Sequence, residues 1–313
     1  MRGDGKEDLH HGETGVKAHD NMRIAVAIAT AGRRDVLTET VRVMMGQERR
    51  PDDFLICPAK PADADEAALR ELVPGLKMIA GPVGLPHQRN ALMAATDADI
   101  VMFFDDDFLP APDFLAETVR LFAENPDVVM VTGTVLADGA PGAGLGMREG
   151  LDRLEAAGPN RGAETLEPVY NGYGCNMAVR LEPVRRHGLA FDEKLPLYAW
   201  LEDVDFSRQL APFGRIVKSG RLRGVHLGTK SGGRSPGRRL GYSQIANRVY
   251  IMRKGNMSLR GVLEGSMENL ASNLVKSAFP EPWTDRRGRL AGNLLALWDL
   301  VRGRLDPARI LKL

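Results

Sequence analysis

Residues Ile100 to Phe104 read Ile-Val-Met-Phe-Phe, and Asp105, Asp106 and Asp107 follow at once. Five consecutive apolar residues, with β-branched and aromatic members, suit a strand buried on both faces and so one inside a parallel sheet. Three adjacent carboxylates at its end repel one another and raise each other's pKa unless a positive charge sits among them. One aspartate would serve as a cap for the helix that "DFLPAPDFL" leads into; three exceed that need. Clustered acids with no neighbouring lysine point to a hard divalent cation. In an open parallel sheet, the carboxyl ends of the strands are where ligands bind.

The rest of the chain supports such a sheet. Short apolar runs at 22–30, 54–58, 76–80 and 128–135 alternate with helical spacings at 36–47, 63–73, 84–96 and 113–124. That alternation predicts an α/β fold with a mostly parallel central sheet flanked by helices. Beyond Val135 the pattern loosens. A Gly/Ala-rich loop (136–146) and extended chain (164–180) precede a helix at 201–214. A turn between two short strands is expected over 215–229, and helices from Gly241 onward. The expected organisation is a leader without structure (1–21), a main domain (22–240) in two halves divided at residue 135, and a C-terminal helical extension (241–313) packed on it.

Composition narrows the partners. A formal net charge of +1 directs the chain as a whole to neither nucleic acid nor membrane. Between Arg208 and Arg260 there is no Asp or Glu, and a one-sign stretch of this kind is expected to face something anionic. Cys57 and Cys175 stand alone, outside disulfide or metal spacing, and read as reduced buried thiols. No run has the length of a membrane span, and the polar N-terminus lacks an apolar signal-peptide core, so a cytoplasmic protein is expected. The tail "GRLAGNLLALWDLVRGRL" sets Leu and Trp against arginines. It suits docking on its own domain, with peripheral contact to the inner face of a membrane as the alternative.

Two further sites carry chemistry. "WLEDVDFSRQL" places Glu202 and Asp203 at a helix start, with Asp205 on another face. Trp200 before them offers a ring on which a sugar or a base can stack. His226, closing "GVH", is a candidate metal ligand.

In order and spacing these segments resemble the inverting nucleotide-sugar glycosyltransferases of family 2, with their GT-A fold, over Met22 to about Gly255. "VAIATAGRRDVLTETV" is similar to the family's opening strand, loop and helix, which implies nucleotide contacts from Thr30 and Arg33. "GLPHQRNALMAA" implies the same of Arg89 and Asn90, near the nucleotide or its diphosphate. "FFDDDFLPAPDFL" resembles the metal-binding aspartate motif, the most specific match. "GCNMAVR" resembles an acceptor-side segment and implies Asn176. "WLEDVDFSRQL" resembles the Glu-Asp motif, whose Asp, here Asp203, is the general base, with Glu202 and Trp200 toward the acceptor. "GVHLG" implies His226 as a metal ligand. One departure concerns the base: where many members carry an acid after the second strand, this chain has Cys57, Pro58 and Ala59. Asp63 and Asp65 are the nearest substitutes.

The resemblance implies a metal-dependent, inverting transfer of a sugar from a nucleotide diphosphate to an acceptor hydroxyl, in glycan or glycolipid biosynthesis. Asp105, Asp107 and His226 would hold Mn²⁺ or Mg²⁺, the imidazole favouring Mn²⁺, and Asp105 and Asp106 would reach the nucleotide sugar. Lys230 and Arg234, in the Gly-rich "KSGGRSPGRR", would close over the diphosphate. UDP is the first expectation for the donor, with GDP and dTDP open; the acceptor is a glycan, a lipid-linked sugar or a small molecule. A glycoside hydrolase also needs two carboxylates, but neither metal nor nucleotide. A sugar nucleotidyltransferase needs a richer glycine loop than "ATAGRRD", and a non-catalytic glycan- or nucleotide-binding relative has no use for Asp203.

Overall fold

The computed structural model describes residues 22–159, 164–232 and 236–313. The expected leader and Arg234 lie outside the described residues. The N-terminal half is a parallel sheet in the order β3-β2-β1-β4: β1 is Ile24–Thr30, β2 Asp53–Pro58, β3 Lys77–Met78 and β4 Ile100–Asp105. Three helices, α1 (Arg34–Met44), α2 (Glu66–Leu72) and α3 (Leu85–Ala94), make the crossovers. Strand order reverses between β1 and β4, so their carboxyl ends flank the crevice such sheets offer to ligands.

The second half continues the sheet as β8-β6-β9-β5 and mixes strand directions. Here β5 is Phe108–Pro110, β6 Val128–Asp138, β7 Leu166–Pro168, β8 Asn176–Arg180 and β9 Arg215–His226; the helices are α4 (Phe114–Glu124), α5 (Met147–Ala156), α6 (Leu181–His187) and α7 (Glu202–Leu210). β8 runs antiparallel to β4 and β6, β9 parallel to β6, and β5 and β7 antiparallel to β9. Alternate residues feed two cores. Ile24, Val26, Ile28, Met102 and Phe104 pack with α1 and α4, while Ala25, Ala27, Val101 and Phe103 pack against α3, α6 and α7.

Two features differ from expectation. Residues 215–226 form one long strand instead of two around a turn: the turn-like Ser219-Gly220 lies in a bulge, where β6 advances from Gly133 to Thr134 while β9 advances from Ser219 to Arg223. Gly133 is required there, since a Cβ would meet Leu222 O at 2.5 Å. β6 also runs on to Asp138, past the expected end at Val135.

Three helices, α8 (Gly237–Arg253), α9 (Leu259–Ala278) and α10 (Arg286–Val301), and a 3₁₀ turn at Pro307–Lys312 follow around their own apolar cluster, with Tyr242, Ile245, Ala246, Val249 and Ala296 at its centre. Gly241 and Gly292 let α8 and α10 touch: a Cβ on Gly241 would lie 2.0 Å from Arg289 O. The helical layer meets the sheet domain through Asn247, which donates to Trp200 O at 2.8 Å, and through Lys254, which binds Asp205 and Asp192 at 2.6 and 2.5 Å.

Candidate active site

Strand register assembles the first cluster. Asp105 ends β4; the chain turns through Asp106 and Asp107 and enters β5, whose Phe108 lies opposite His226 of β9. On the other side of β9, His226 is in register with Asp138. His226 Nε2 therefore stands 3.3 Å from Asp107 Oδ1 and 3.8 Å from Asp105 Oδ2, and its Nδ1 meets Asp138 Oδ1 at 2.9 Å. Burial lowers the imidazole pKa, but hydrogen bonds with Asp107 and Asp138 and the charges of Asp107 and Asp105 outweigh it and push the pKa to about 10.

One donor atom each from Asp105, Asp107 and His226 falls within 4.8 Å of the others, close enough to share a cation. Asp107 Oδ1 is buried, and its close partner is His226 Nε2 at 3.3 Å without well-formed hydrogen-bond geometry, so a divalent cation between the two would satisfy both. Asp138 fixes the imidazole orientation as outer carboxylates do for metal-bound histidine. The donor set fits a divalent metal.

The remaining carboxylate groups are neutralised from within. Asp106 Oδ2 accepts from Thr30 Oγ1 at 2.6 Å, and Arg33 Nη1 lies 2.7 Å from Asp106 Oδ1 and 3.3 Å from Asp107 Oδ2. Burial and the Asp107 charge push the Asp106 carboxyl up to about 6 against the pull of Arg33. For Asp107 burial is overcome by His226, Arg33 and the Thr229 N–H, which hold it well below the carboxylate range. Mutual repulsion, expected for all three, is thus resolved by Arg33 and His226.

The second cluster is held by a loop. Three non-glycine residues in the left-handed region, Leu197 (φ 59°), Ala199 (φ 51°) and Leu201 (φ 71°), lead into α7. Glu202 and Asp203 open that helix. Arg89 of α3, buried, reaches Glu202 Oε1 at 2.5 Å, Gly174 O at 2.8 Å and Asp105 Oδ1 at 3.4 Å, and so ties the two clusters together. Burial drives the Glu202 carboxyl up to about 8, with Arg89 opposing and Asp203 adding to the rise. Asp203 is raised too, by burial, although Arg89 and the N–H groups of Gly174 and Val204 favour its charged form. Its Oδ2 accepts from Gly174 N at 3.1 Å.

Both clusters line one cavity of about 450 Å³, walled by Thr30, Arg33, Arg89, Asp105, Asp106, Trp200, Glu202, Asp203 and His226. Asp107 lies beneath it, fully buried. Three sequence-expected residues lie elsewhere. The Asn90 amide is spent on Phe191 N and O, both at 2.9 Å, fastening the loop before α7. Asn176 is buried in β8, its Oδ1 accepting from Thr132 Oγ1 and Gly133 N. Lys230 Nζ donates to Gly139 and Ala140 carbonyls, which pins one loop to another. Neither substitute acid reaches the cavity: Asp63 accepts from Lys60 N, and Asp65 caps α2 and pairs with Arg34. The acid-free stretch is scattered over several elements and borrows partners, Arg215 taking Asp127, Arg221 taking Glu117, and Lys254 taking Asp192 and Asp205.

Sequence reasoning missed Asp138 and Tyr173, whose hydroxyl bonds Asp138 Oδ2 at 3.1 Å and whose ring lines the cavity. An acid ending a β-branched run was the available signal for Asp138; Tyr173 had none.

Comparison with known proteins places this geometry. A mannosyltransferase from Pyrobaculum calidifontis, in complex with GDP-Man and Mn²⁺, superposes with a TM-score of 0.53 at 18% identity, over 92% of this chain and 85% of that one. S. aureus TarS 1-349, in complex with UDP-GlcNAc, gives 0.50 at 14% identity, over 78% and 70%. These likenesses, both to GT-A glycosyltransferases, show the fold. The Haloferax volcanii glucosyl-dolichyl phosphate glucuronosyltransferase is 25% identical over 169 residues, 51% of this chain and 53% of its own, so the match spans about half of that relative. Residues 25–188, just over half of the chain, match the model for glycosyl transferase family 2, and to that family the chain belongs.

Proposed function

We propose that the chain is a metal-dependent, inverting glycosyltransferase that moves a sugar from a nucleotide diphosphate to an acceptor hydroxyl, residues 22–240 forming the catalytic unit. The observation that carries this reading is one cavity bordered on one side by a three-donor cation site and on the other by Asp203. Asp105, Asp107 and His226 would hold Mn²⁺ or Mg²⁺, the imidazole favouring Mn²⁺. Bound there, the cation supplies Lewis-acid stabilisation of the departing diphosphate. Thr30 and Arg33 line the wall expected to take the nucleotide, and Trp200 the wall expected to take the sugars.

Asp203 takes the proton of the acceptor hydroxyl as its oxygen attacks the anomeric carbon; the bond to the diphosphate oxygen breaks and that oxygen keeps the electron pair. Attack from the face opposite the leaving group inverts the centre, and no enzyme nucleophile is required. A raised Asp203 pKa suits a general base, whose efficiency grows as its pKa nears the working pH. Arg89 and Glu202 are positioning residues that hold α3, α7 and Asp105 together. The neighbours carry GDP-Man and UDP-GlcNAc, so the family alone does not choose the base. UDP, GDP and dTDP sugars are all tested.

The test is a thermal-shift panel of these nucleotides and their sugars with Mn²⁺, with Mg²⁺ and with EDTA. A rise in midpoint of about 2.7 kcal/mol equivalent at 100 times Kd, present with metal and absent with EDTA, is expected for one base. No shift with any base under either metal overturns the reading.

A further inference from the structure

We propose that the outward faces of α9 and α10 form a docking surface for an anionic lipid bilayer. On α9, Leu259, Leu263, Met267 and Leu274 recur at spacings of four, four and seven, which collects them on one side of the helix, with Val275 and, just past the helix end, Phe279 beside them. All are exposed, Met267 at 67% and Phe279 at 80%. The opposite side of the helix carries Val262 and Asn273, which are buried. On α10, Leu294, Trp298 and Val301 make a second outward row, with Val301 83% exposed. Trp283, in the connection between the helices, is exposed as well. Apolar side chains set out in helical register are more than the scattered surface hydrophobics of a soluble domain.

Charge names the occupant. Arg287, Arg302, Arg304 and Lys312 are exposed around the α10 row, and none is in an ion pair among the described residues. Arg302 lies over the Trp298 ring at 4.1 Å, pairing an aromatic with a cation as interfacial helices do. The acids around the α10 row are engaged: Asp299 is buried with Tyr242 and Arg309, Glu281 binds Lys276 and Arg286, and Asp285 caps α10; on α9, Glu264 pairs with Arg260 and Glu268 is exposed near the Arg248 charge. A second copy apposed through the α10 row would therefore bring arginine to arginine with no unengaged carboxylate of that helix between them. Anionic headgroups supply that missing charge, and the acyl region accepts the tryptophan and aliphatic rows. Among the described residues no helix is long and apolar enough to cross a membrane, so the helices lie on the surface. This inference rests on the helical layer alone and is independent of the transfer chemistry.

Co-sedimentation of the full chain with vesicles tests it, using phosphatidylcholine alone and phosphatidylcholine mixed with phosphatidylglycerol. Binding to the mixed vesicles is expected, weakened by salt. Trp298→Glu combined with Val301→Glu should lower the partition about 100-fold, from the lost apolar burial. Arg302→Gln and Arg304→Gln should lower it about fivefold each. The thermal midpoint should stay at the wild-type value, because these side chains are exposed. Failure to bind mixed vesicles, or binding unchanged in the double variant, overturns the proposal. So does a lipid-free dimer, seen by analytical ultracentrifugation, that the double variant converts to monomer; that result assigns the face to a second copy.

Discussion

The two acidic clusters of the cavity are built by opposite means. Asp105, Asp106 and Asp107 sit where a buried strand ends, and the registers of β4, β5, β6 and β9 deliver Arg33's partners, His226 and Asp138 to fixed places. Glu202 and Asp203 sit at the start of a nine-residue helix reached through three left-handed non-glycine residues. Regular hydrogen bonding holds the first; long-range side-chain contacts from Arg89, Asn90, Asn247 and Lys254 hold the second. The proposed cation site would tolerate little displacement, whereas the second cluster stores strain of the kind found at functional sites.

The sharpest way to separate the two clusters is Asp203→Asn. It keeps the shape and the hydrogen bond from Gly174 N to a side-chain oxygen, while removing the proposed base. Transfer should fall by about 10²–10⁴, with nucleotide-sugar affinity unchanged in a binding titration. Lost affinity would instead make Asp203 part of the frame.

The next largest effect should come from the link between them. Arg89 is flanked by Phe103 and Phe191 at 5.5 and 5.4 Å, and it faces Glu202, Asp105 and Gly174. Arg89→Met leaves buried acids without their counter-charge and should cost about 3–5 kcal/mol in urea unfolding at alkaline pH. Glu202→Gln in the same chain should recover part of that. In the wild type the folded state holds the Glu202 proton more tightly than the unfolded chain does, with a pKa of about 8 against an ordinary 4.5. The associated stability is complete below 4.5, declines across the interval and is gone once pH has passed through about 8. A midpoint measured from pH 4 to 9 should therefore fall in the wild type and run flatter in Glu202→Gln; matching profiles would remove Glu202 as the titrating group.

The same contrast explains what the sequence reveals. The apolar runs at 22–30, 54–58 and 100–104, with helices between them, carry the parallel half almost in full, because strand burial and crossover spacing are local signals. Asp105, Asp107, His226, Arg33 and Asp203 all reach the cavity or its floor. Asn90 and Asn176 do not, since a motif match gives a residue's position along the chain and not which way its amide turns. β9 was hidden by a bulge that reads as a turn, and Asp138 by a strand three residues longer than its apolar run. The left-handed residues at 197, 199 and 201 had no sequence signal, because leucine and alanine are not residues that favour that conformation.

The smallest of these effects should come from the support behind the loop. Lys254 Nζ bridges Asp192, in the segment before the left-handed residues, and Asp205 of α7, and Tyr250 OH adds a bond to Asp192 at 2.9 Å. Lys254 is partly exposed, so screening reduces what the bridge contributes. Asp205 retains Asn256 Nδ2 at 2.9 Å and Gln209 Nε2 at 3.0 Å when the lysine is lost. Lys254→Met should therefore cost only about 1–2 kcal/mol in denaturant unfolding. Its informative readout is the division between kinetic constants. Loosening the loop moves Trp200 and Asp203 while leaving the strand-held carboxylate–histidine cluster intact, so on the proposed mechanism kcat should fall with metal-dependent nucleotide binding unchanged. If nucleotide binding weakened in step with kcat, the helical layer would be supporting both clusters, and the division between a sheet-built site and a loop-built one would fail.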